Sequence, residues 1–223
     1  HHINREPSFV LSATINKYCT ASVLPRDDEE IHVISKDLNQ KSQSKNLEVL
    51  RYDGCLDLLK AAVRVMRPSF GFNLETFSEF EVGTGLGGSS AMTVAVIGAL
   101  NNFRNENQLD SYQISDLAYQ AERIELGIEG GWQDQYTTTF GGFNWVEFRQ
   151  NEVIVHPLRL QRETLLELEY NLMLFRISGN HNSGTIQKDM IENSTHSRVD
   201  DMKRIMNELS LQMKEKLLKN KYQ

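Results

Sequence analysis

The sequence predicts an α+β fold. Runs rich in β-branched and aromatic residues recur at residues 9–24, 31–34, 72–82 and 143–148. Apolar residues at three- and four-residue steps mark helices, most clearly at Leu56, Leu59, Val63 and Met66 and again at Met202, Ile205, Met206, Leu209, Met213 and Leu217. These strands and helices follow one another without a regular βαβ rhythm, which separates this pattern from a parallel α/β sheet. No internal repeat is visible.

Taken in order, residues 9–24 read as one long or bent strand, halted by Pro25 and followed by the charged turn RDDEE. Residues 31–34 are a short strand, 36–46 a polar loop or hairpin tip, and 47–51 another short strand. A helix from Leu56 ends before Pro68, which has no N–H to continue it. Residues 72–82 alternate apolar and polar as a strand does, then GTGLGGSSAM leads into an apolar helix from Met92 to about Phe103. NENQLDSYQ is a loop before a helix over 114–126, with Asp110 or Ser115 as its cap. GIEGGWQDQ is a loop or a helix start. Residues 143–148 and 153–156 form a hairpin, and the apolar run 172–177 is expected as a buried strand. The last helix, 202–217, is amphipathic, and its Met-rich stripe is expected in the core. That stripe needs cover, so further chain is expected after it.

Composition narrows the function classes. The chain has 223 residues, 39% hydrophobic and 24% charged, the balance of a soluble globular protein. Its 24 basic and 30 acidic residues give a net charge of −6, so there is no basic surplus to track a nucleic-acid backbone. No apolar run approaches the ~20 residues of a membrane span. Two cysteines, Cys19 and Cys55, are too few for a disulfide framework or a four-thiolate zinc site and suit a reducing cytoplasm.

The chemistry concentrates in two places. Residues Gly83, Gly85, Leu86, Gly87, Gly88, Ser89 and Ser90 lie between a predicted strand and a predicted helix. Glycines let the backbone approach an anion, and the first N–H groups of a helix lack intrahelical partners, so the segment reads as a phosphate cradle. The serine hydroxyls can reach a phosphate or a phosphate-bound Mg²⁺. A P-loop is excluded because no Lys follows the glycines. The spacing Gly83, Gly85, Gly88 matches GxGxxG, but the NNFRNENQLDSYQ stretch after the helix is no second strand, as a dinucleotide fold requires. Downstream, Glu122 on a helix and Asp134 beyond a Gly-rich turn can converge on one Mg²⁺-nucleotide site. Phosphoryl transfer needs a cradle, a metal ligand and a group that orients the attacking hydroxyl; Ser90, Glu122 and Asp134 are candidates for the last two roles. Lys17 is a candidate contact to a phosphate or a sugar.

GTGLGGSSAM at 83–92, AYQAERIELGIEGGWQDQY at 118–136 and FGGFNWVEF at 140–148 together resemble the GHMP small-molecule kinase superfamily. With INKY at 15–18 and HPLRL at 156–160, they are most similar to the D-glycero-D-manno-heptose 7-phosphate kinase branch, over about residues 9–186. The resemblance implies a ribosomal-protein-S5-like N-terminal half, placed at 1–160, and a ferredoxin-like C-terminal half beginning at 161–223. It implies ATP and Mg²⁺ as cofactors and a small sugar or sugar phosphate as substrate, with a homodimer allowed. It places the triphosphate on the residue 83–90 loop, Mg²⁺ on Ser90 and Glu122, the base at Asp134, and Gly131 and Gln133 at the sugar. Two features of the family, a PxRxxFxGGGTD-like N-terminal segment and a late Gly-rich motif, are not among these residues, so an incomplete chain is expected at both ends. Trp132 stands where heptose kinases often have Lys, GGWQDQ is closer to L-fucose kinases, and SGNHNSG at 178–184 differs from the usual TGxxRxS-type segment. The alternatives are therefore another sugar-1-kinase and a non-catalytic nucleotide- or sugar-binding remnant.

Overall fold

The structure is a computed structural model that describes residues 7–79, 81–150, 152–175 and 196–220, the last group from residue 201 onward for side chains. Its strands are β1 (Ser8–Ala13), β2 (Cys19–Pro25), β3 (Ile31–Ser35), β4 (Gln40–Ser44), β5 (Phe72–Ser78), β6 (Phe143–Phe148) and β7 (Val153–Pro157). Its helices are α1 (Asp57–Met66), α2 (Gly88–Asn101), α3 (Ser111–Tyr119), α4 (Gln133–Phe140), α5 (Arg162–Asn171) and α6 (His196–Leu218), with a π-helical turn, Gln120–Glu125, continuing α3. The described residues divide into two units, 16–139 on the one hand and 7–15, 140–175 and 196–220 on the other.

The 16–139 unit holds a four-stranded sheet in the order β2-β5-β3-β4, with β3 parallel to β5 and the other pairs antiparallel. Val33, Phe72 and Leu74 point from it into a core completed by Leu59, Ala62 and Val63 of α1, Val96, Ile97 and Leu100 of α2, and Ala118 of α3. Each fully buried large apolar side chain contributes ~1.5–3 kcal/mol, and this cluster seats α2 and α3 against one another. Arg67 ends α1 in a left-handed conformation, with its N–H donating to Val63 O at 3.1 Å, directly before Pro68. Asp110 and Gln113 form a reciprocal capping box at the start of α3. Ser115 is not the cap; it lies inside the helix and donates to Ser111 O.

Several expectations are corrected. Residues 9–24 are two strands in different sheets: Phe9 of β1 faces Glu147 of β6, while Ala21 of β2 faces Thr76 of β5. The intervening Ile15 and Tyr18 are exposed, and just before the second ladder Glu79 N donates to Tyr18 O while Tyr18 N donates to the Glu79 carboxylate. The polar 36–46 segment contains β4, an edge strand whose polarity suits its exposure. Residues 47–51 form no strand, because the Asn46 side chain accepts from the N–H groups of Glu48 and Val49 and turns the chain. Helix α2 begins four residues before Met92, which places Ser89 and Ser90 in its first turn.

In the second unit β1, β6 and β7 form an antiparallel sheet. Trp145 is buried there, stacked on Phe9 at 5.1 Å, with the Lys214 ammonium 4.3 Å over its ring. Asn207 of α6 accepts from Phe9 N and donates to Pro7 O. Residues 172–175 are exposed and not a strand, and 176–177 lie outside the described residues. A strand is made by its neighbours as much as by its own residues, and none pairs with 172–175 among the described residues. Helix α5, which precedes that run, has no counterpart among the expected elements. Helix α6 forms as expected, but Met202, Ile205, Met206, Leu209 and Met213 on it are each more than half exposed, so the stripe is not core in this structure.

Candidate functional site

The candidate site residues lie in the 16–139 unit, around the first turn of α2. The approach to that helix winds through left-handed backbone at Gly83, Gly85 and Gly87, with φ of 82°, 72° and 71°. Glycine adopts this geometry without a Cβ penalty. Gly87 is the N-cap and supplies no side-chain acceptor, so the opening N–H groups of α2 are left for another partner at the positive end of the helix dipole. Leu86 is partly exposed on the same loop. A Cβ on Gly87 would stand 3.7 Å from Thr138 Cγ2 and 3.9 Å from Asp134 Cγ, so this loop lies against the first turns of α4. Cys19 flanks the other side, its thiol donating to Gly88 O at 3.7 Å; burial pushes that thiol's pKa up, against a hydrogen bond with Ser78.

Glu122 comes to the same place from the π-helical turn, a departure from α-geometry that often marks functional positions. It is 1% exposed. Its Oε2 accepts from Ser89 Oγ at 3.3 Å and lies 3.7 Å from Arg123 Nη1, while Oε1 has no hydrogen-bond partner among the described residues. Gln135, 0% exposed, donates through Nε2 to Ser90 Oγ at 3.1 Å, and its Oε1 also has no partner among them. Buried oxygens without partners are costly. Two of them beside two serine hydroxyls suit a hard cation, which takes oxygen ligands. Among the described residues no group of three or more His, Cys, Asp or Glu could hold a metal by itself. A partial shell of this kind fits Mg²⁺, which commonly uses one or two carboxylates and completes its octahedron with phosphate oxygens and water.

Asp134 sits half-buried in the first turn of α4, and its carbonyl accepts from Thr138 Oγ1 at 2.6 Å. Arg123 ties the 127–131 loop to the Glu122 carboxylate: Nε donates to Gly131 O at 3.3 Å and Nη1 to Ile128 O at 3.4 Å, with Nη1 3.7 Å from Glu122 Oε2. Gly131 and Gln133 are exposed at the mouth of that loop. Trp132 packs between Tyr119 and Tyr136, with centroids 4.5 and 6.2 Å away. Lys17 is exposed between β1 and β2, and no described contact brings it to the carboxylates. The structure therefore gathers the loop, Ser89, Ser90, Glu122 and Asp134. It adds Arg123, which has no assigned role in the motif reading, and it gives Gln135, readable beforehand only as a polar neighbour of Asp134, a specific partner in Ser90.

Residues 55–142, from the approach to α1 to the edge of β6, match the family described as GHMP kinases N terminal domain. The chain carries a GHMP kinase N-terminal domain. The heptose 7-phosphate kinase of Campylobacter jejuni subsp. jejuni, D-glycero-alpha-D-manno-heptose 7-phosphate kinase, is 40% identical over 180 residues, covering 78% of this chain and 53% of its own length. A crystal structure of a D-glycero-D-manno-heptose 1-phosphate kinase from B. thetaiotaomicron is 30% identical with a TM-score of 0.77, covering 96% of this chain and 66% of that one. Mevalonate kinase of Methanocaldococcus jannaschii is 26% identical over 153 residues, 64% of this chain and 47% of that protein. The chain thus spans about half the length of the curated relatives it matches. The GHMP kinase fold, with its mixed α and β content, accommodates both the Gly loop at the start of α2 and the carboxylate on α4.

Proposed function

We propose that this chain acts as an ATP-dependent sugar kinase, and that its acceptor is the anomeric hydroxyl of D-glycero-D-manno-heptose 7-phosphate. The observation that carries the reading is the meeting of Ser89, Ser90, Glu122 and Asp134 around one helix N-terminus. The two heptose phosphate kinase relatives support the choice of sugar. On this reading the backbone of residues 83–90, with Gly83, Gly85, Leu86, Gly87 and Gly88, holds the triphosphate of ATP. Ser90 and Glu122 hold Mg²⁺. A bound Mg²⁺ neutralises charge on the transferred phosphoryl group. Asp134 orients the sugar hydroxyl and accepts its proton as the oxygen attacks the γ-phosphorus. Gly131 and Gln133 line the sugar, and Lys17 offers a cation to the sugar or its phosphate. The S5-like and ferredoxin-like halves, divided at residue 160, and a cytoplasmic setting belong to the same proposal.

The test incubates the chain with MgATP and a panel that includes heptose 7-phosphate, L-fucose and other sugars, following ADP release. Fastest turnover on heptose 7-phosphate, with the new phosphate found at C1 by ³¹P NMR, is the expected result. Background ADP release across the panel together with no nucleotide binding would overturn the reading.

A further inference from the structure

We infer that Gln135 is a positioning residue for Ser90: its buried amide orients the Ser90 hydroxyl toward the cation and phosphate. The inference rests on the kinase reading above and deepens it. A serine hydroxyl has one donor proton and two acceptor lone pairs, and it rotates freely unless something fixes it. Gln135 Nε2 donates to Ser90 Oγ at 3.1 Å and so occupies one lone pair. Ser90 is left with one lone pair, which a cation can use, and one proton, which an anionic oxygen can accept. A group that bridges a metal and its phosphate needs that pair of functions. Ser90 is 1% exposed and Gln135 0%, so bulk water does not compete for either side chain.

Packing alone does not explain an amide at position 135. Gln135 Oε1 has no partner among the described residues, and an unsatisfied buried amide oxygen is a standing cost. A methionine would fill the same length without that cost. What the amide adds over methionine is its bond to Ser90. Its placement is also firm. The Thr139 hydroxyl donates to Gln135 O at 2.7 Å and the Thr138 hydroxyl to Asp134 O at 2.6 Å, pinning the turn that carries both residues. One helical turn thereby sets Asp134 against Gly87 and Gln135 against Ser90.

The test is a double-mutant cycle on Ser90→Ala and Gln135→Met, read by Mn²⁺ binding to the ADP-bound protein in electron paramagnetic resonance, with thermal melting as a check on folding. Groups that orient a metal ligand are worth 10–100-fold in metal affinity. Gln135→Met is expected to weaken Mn²⁺ binding by about tenfold or more in the Ser90 background and to add nothing once Ser90 is Ala. Equal effects in both backgrounds would mean that Gln135 acts by packing or through its own Oε1 and not through Ser90; that result, or no effect in either background, would overturn the inference. If Ser90→Ala itself leaves Mn²⁺ affinity unchanged, the metal role of Ser90 falls and the inference falls with it, and that outcome is distinct from the first. Should Gln135→Met fail to fold, Gln135→Asn retracts the donor by one methylene while keeping the amide; unchanged Mn²⁺ affinity in that variant would equally overturn the proposal.

Discussion

The Ser89 hydroxyl donates to Glu122 Oε2 across 3.3 Å, joining the first turn of α2 to a π-helical turn 33 residues later. The contact leaves Glu122 with one oxygen bonded and one without a partner among the described residues. Glu122→Gln preserves the shape and still lets Ser89 donate, and Arg123 retains its bonds to the Gly131 and Ile128 carbonyls. The fold should hold. The lost charge should raise the Mg²⁺ concentration for half-maximal turnover by about tenfold or more, as loss of a metal-site group does. A Mg²⁺ titration of both proteins checks this, and superimposable curves would reduce Glu122 to a structural acid.

Gly87 tests the cradle separately. At φ 71° it occupies backbone space that a β-branched residue avoids at a cost of about 1–2 kcal/mol. The nearest atoms to an added Cβ stand at ordinary contact distances, so the penalty is conformational and not a clash. Gly87→Val should therefore turn the loop out of its left-handed path and weaken ATP binding at least tenfold with little change in melting temperature. Calorimetric binding decides it: wild-type ATP affinity in the folded variant would remove the loop from the nucleotide site.

The Asp110 box makes a prediction about stability alone. Its carboxylate accepts from Gln113 N at 2.9 Å and Gln113 Oε1 accepts from Asp110 N at 3.0 Å. Loss of such a cap costs ~1 kcal/mol, so Asp110→Ala should lower the melting temperature by about 2–4 °C. The Mg²⁺ requirement should stay in place, because α3 is capped at the end remote from Glu122. Thermal melting and the same Mg²⁺ titration read both halves of the statement.

Much of this was legible in residues, for identifiable reasons. Pro68 and the spacing of Leu59, Val63 and Met66 define α1 because the signals are local. Asp110 and Gln113 announce α3 in the same way. The glycine loop was readable because few side chains tolerate its backbone. Residues 9–24 misled because composition shows β-preference and not the partner strand; β1 and β2 join different sheets. The 172–175 run misled for the same reason. The Ser90 bond of Gln135 was not legible, because nothing in QDQ tells which glutamine the helix buries; the 100° step between Asp134 and Gln135 decides it only once α4 is docked on α2.

Asp134 carries the last prediction. A sugar hydroxyl is a weak nucleophile, and its proton must leave as the oxygen attacks. A carboxylate within ~2.6–3.2 Å can orient that hydroxyl and accept the proton. Asp134 meets the structural conditions for this. It is half-buried, stands on a pinned helical turn, and faces the loop at Gly87 where the triphosphate is proposed to lie. Most of the catalysis in phosphoryl transfer is positioning and electrostatics, which reside in the loop, the serines and Glu122. Asp134→Asn removes the proton acceptor and leaves those in place. ATP and sugar affinity should therefore stay near wild type, while turnover falls by roughly 10²–10⁴-fold, the usual worth of general base catalysis. Steady-state turnover and calorimetric binding on one preparation separate the two effects. Turnover that survives largely intact would show that the proton leaves by another route and that Asp134 only shapes the pocket.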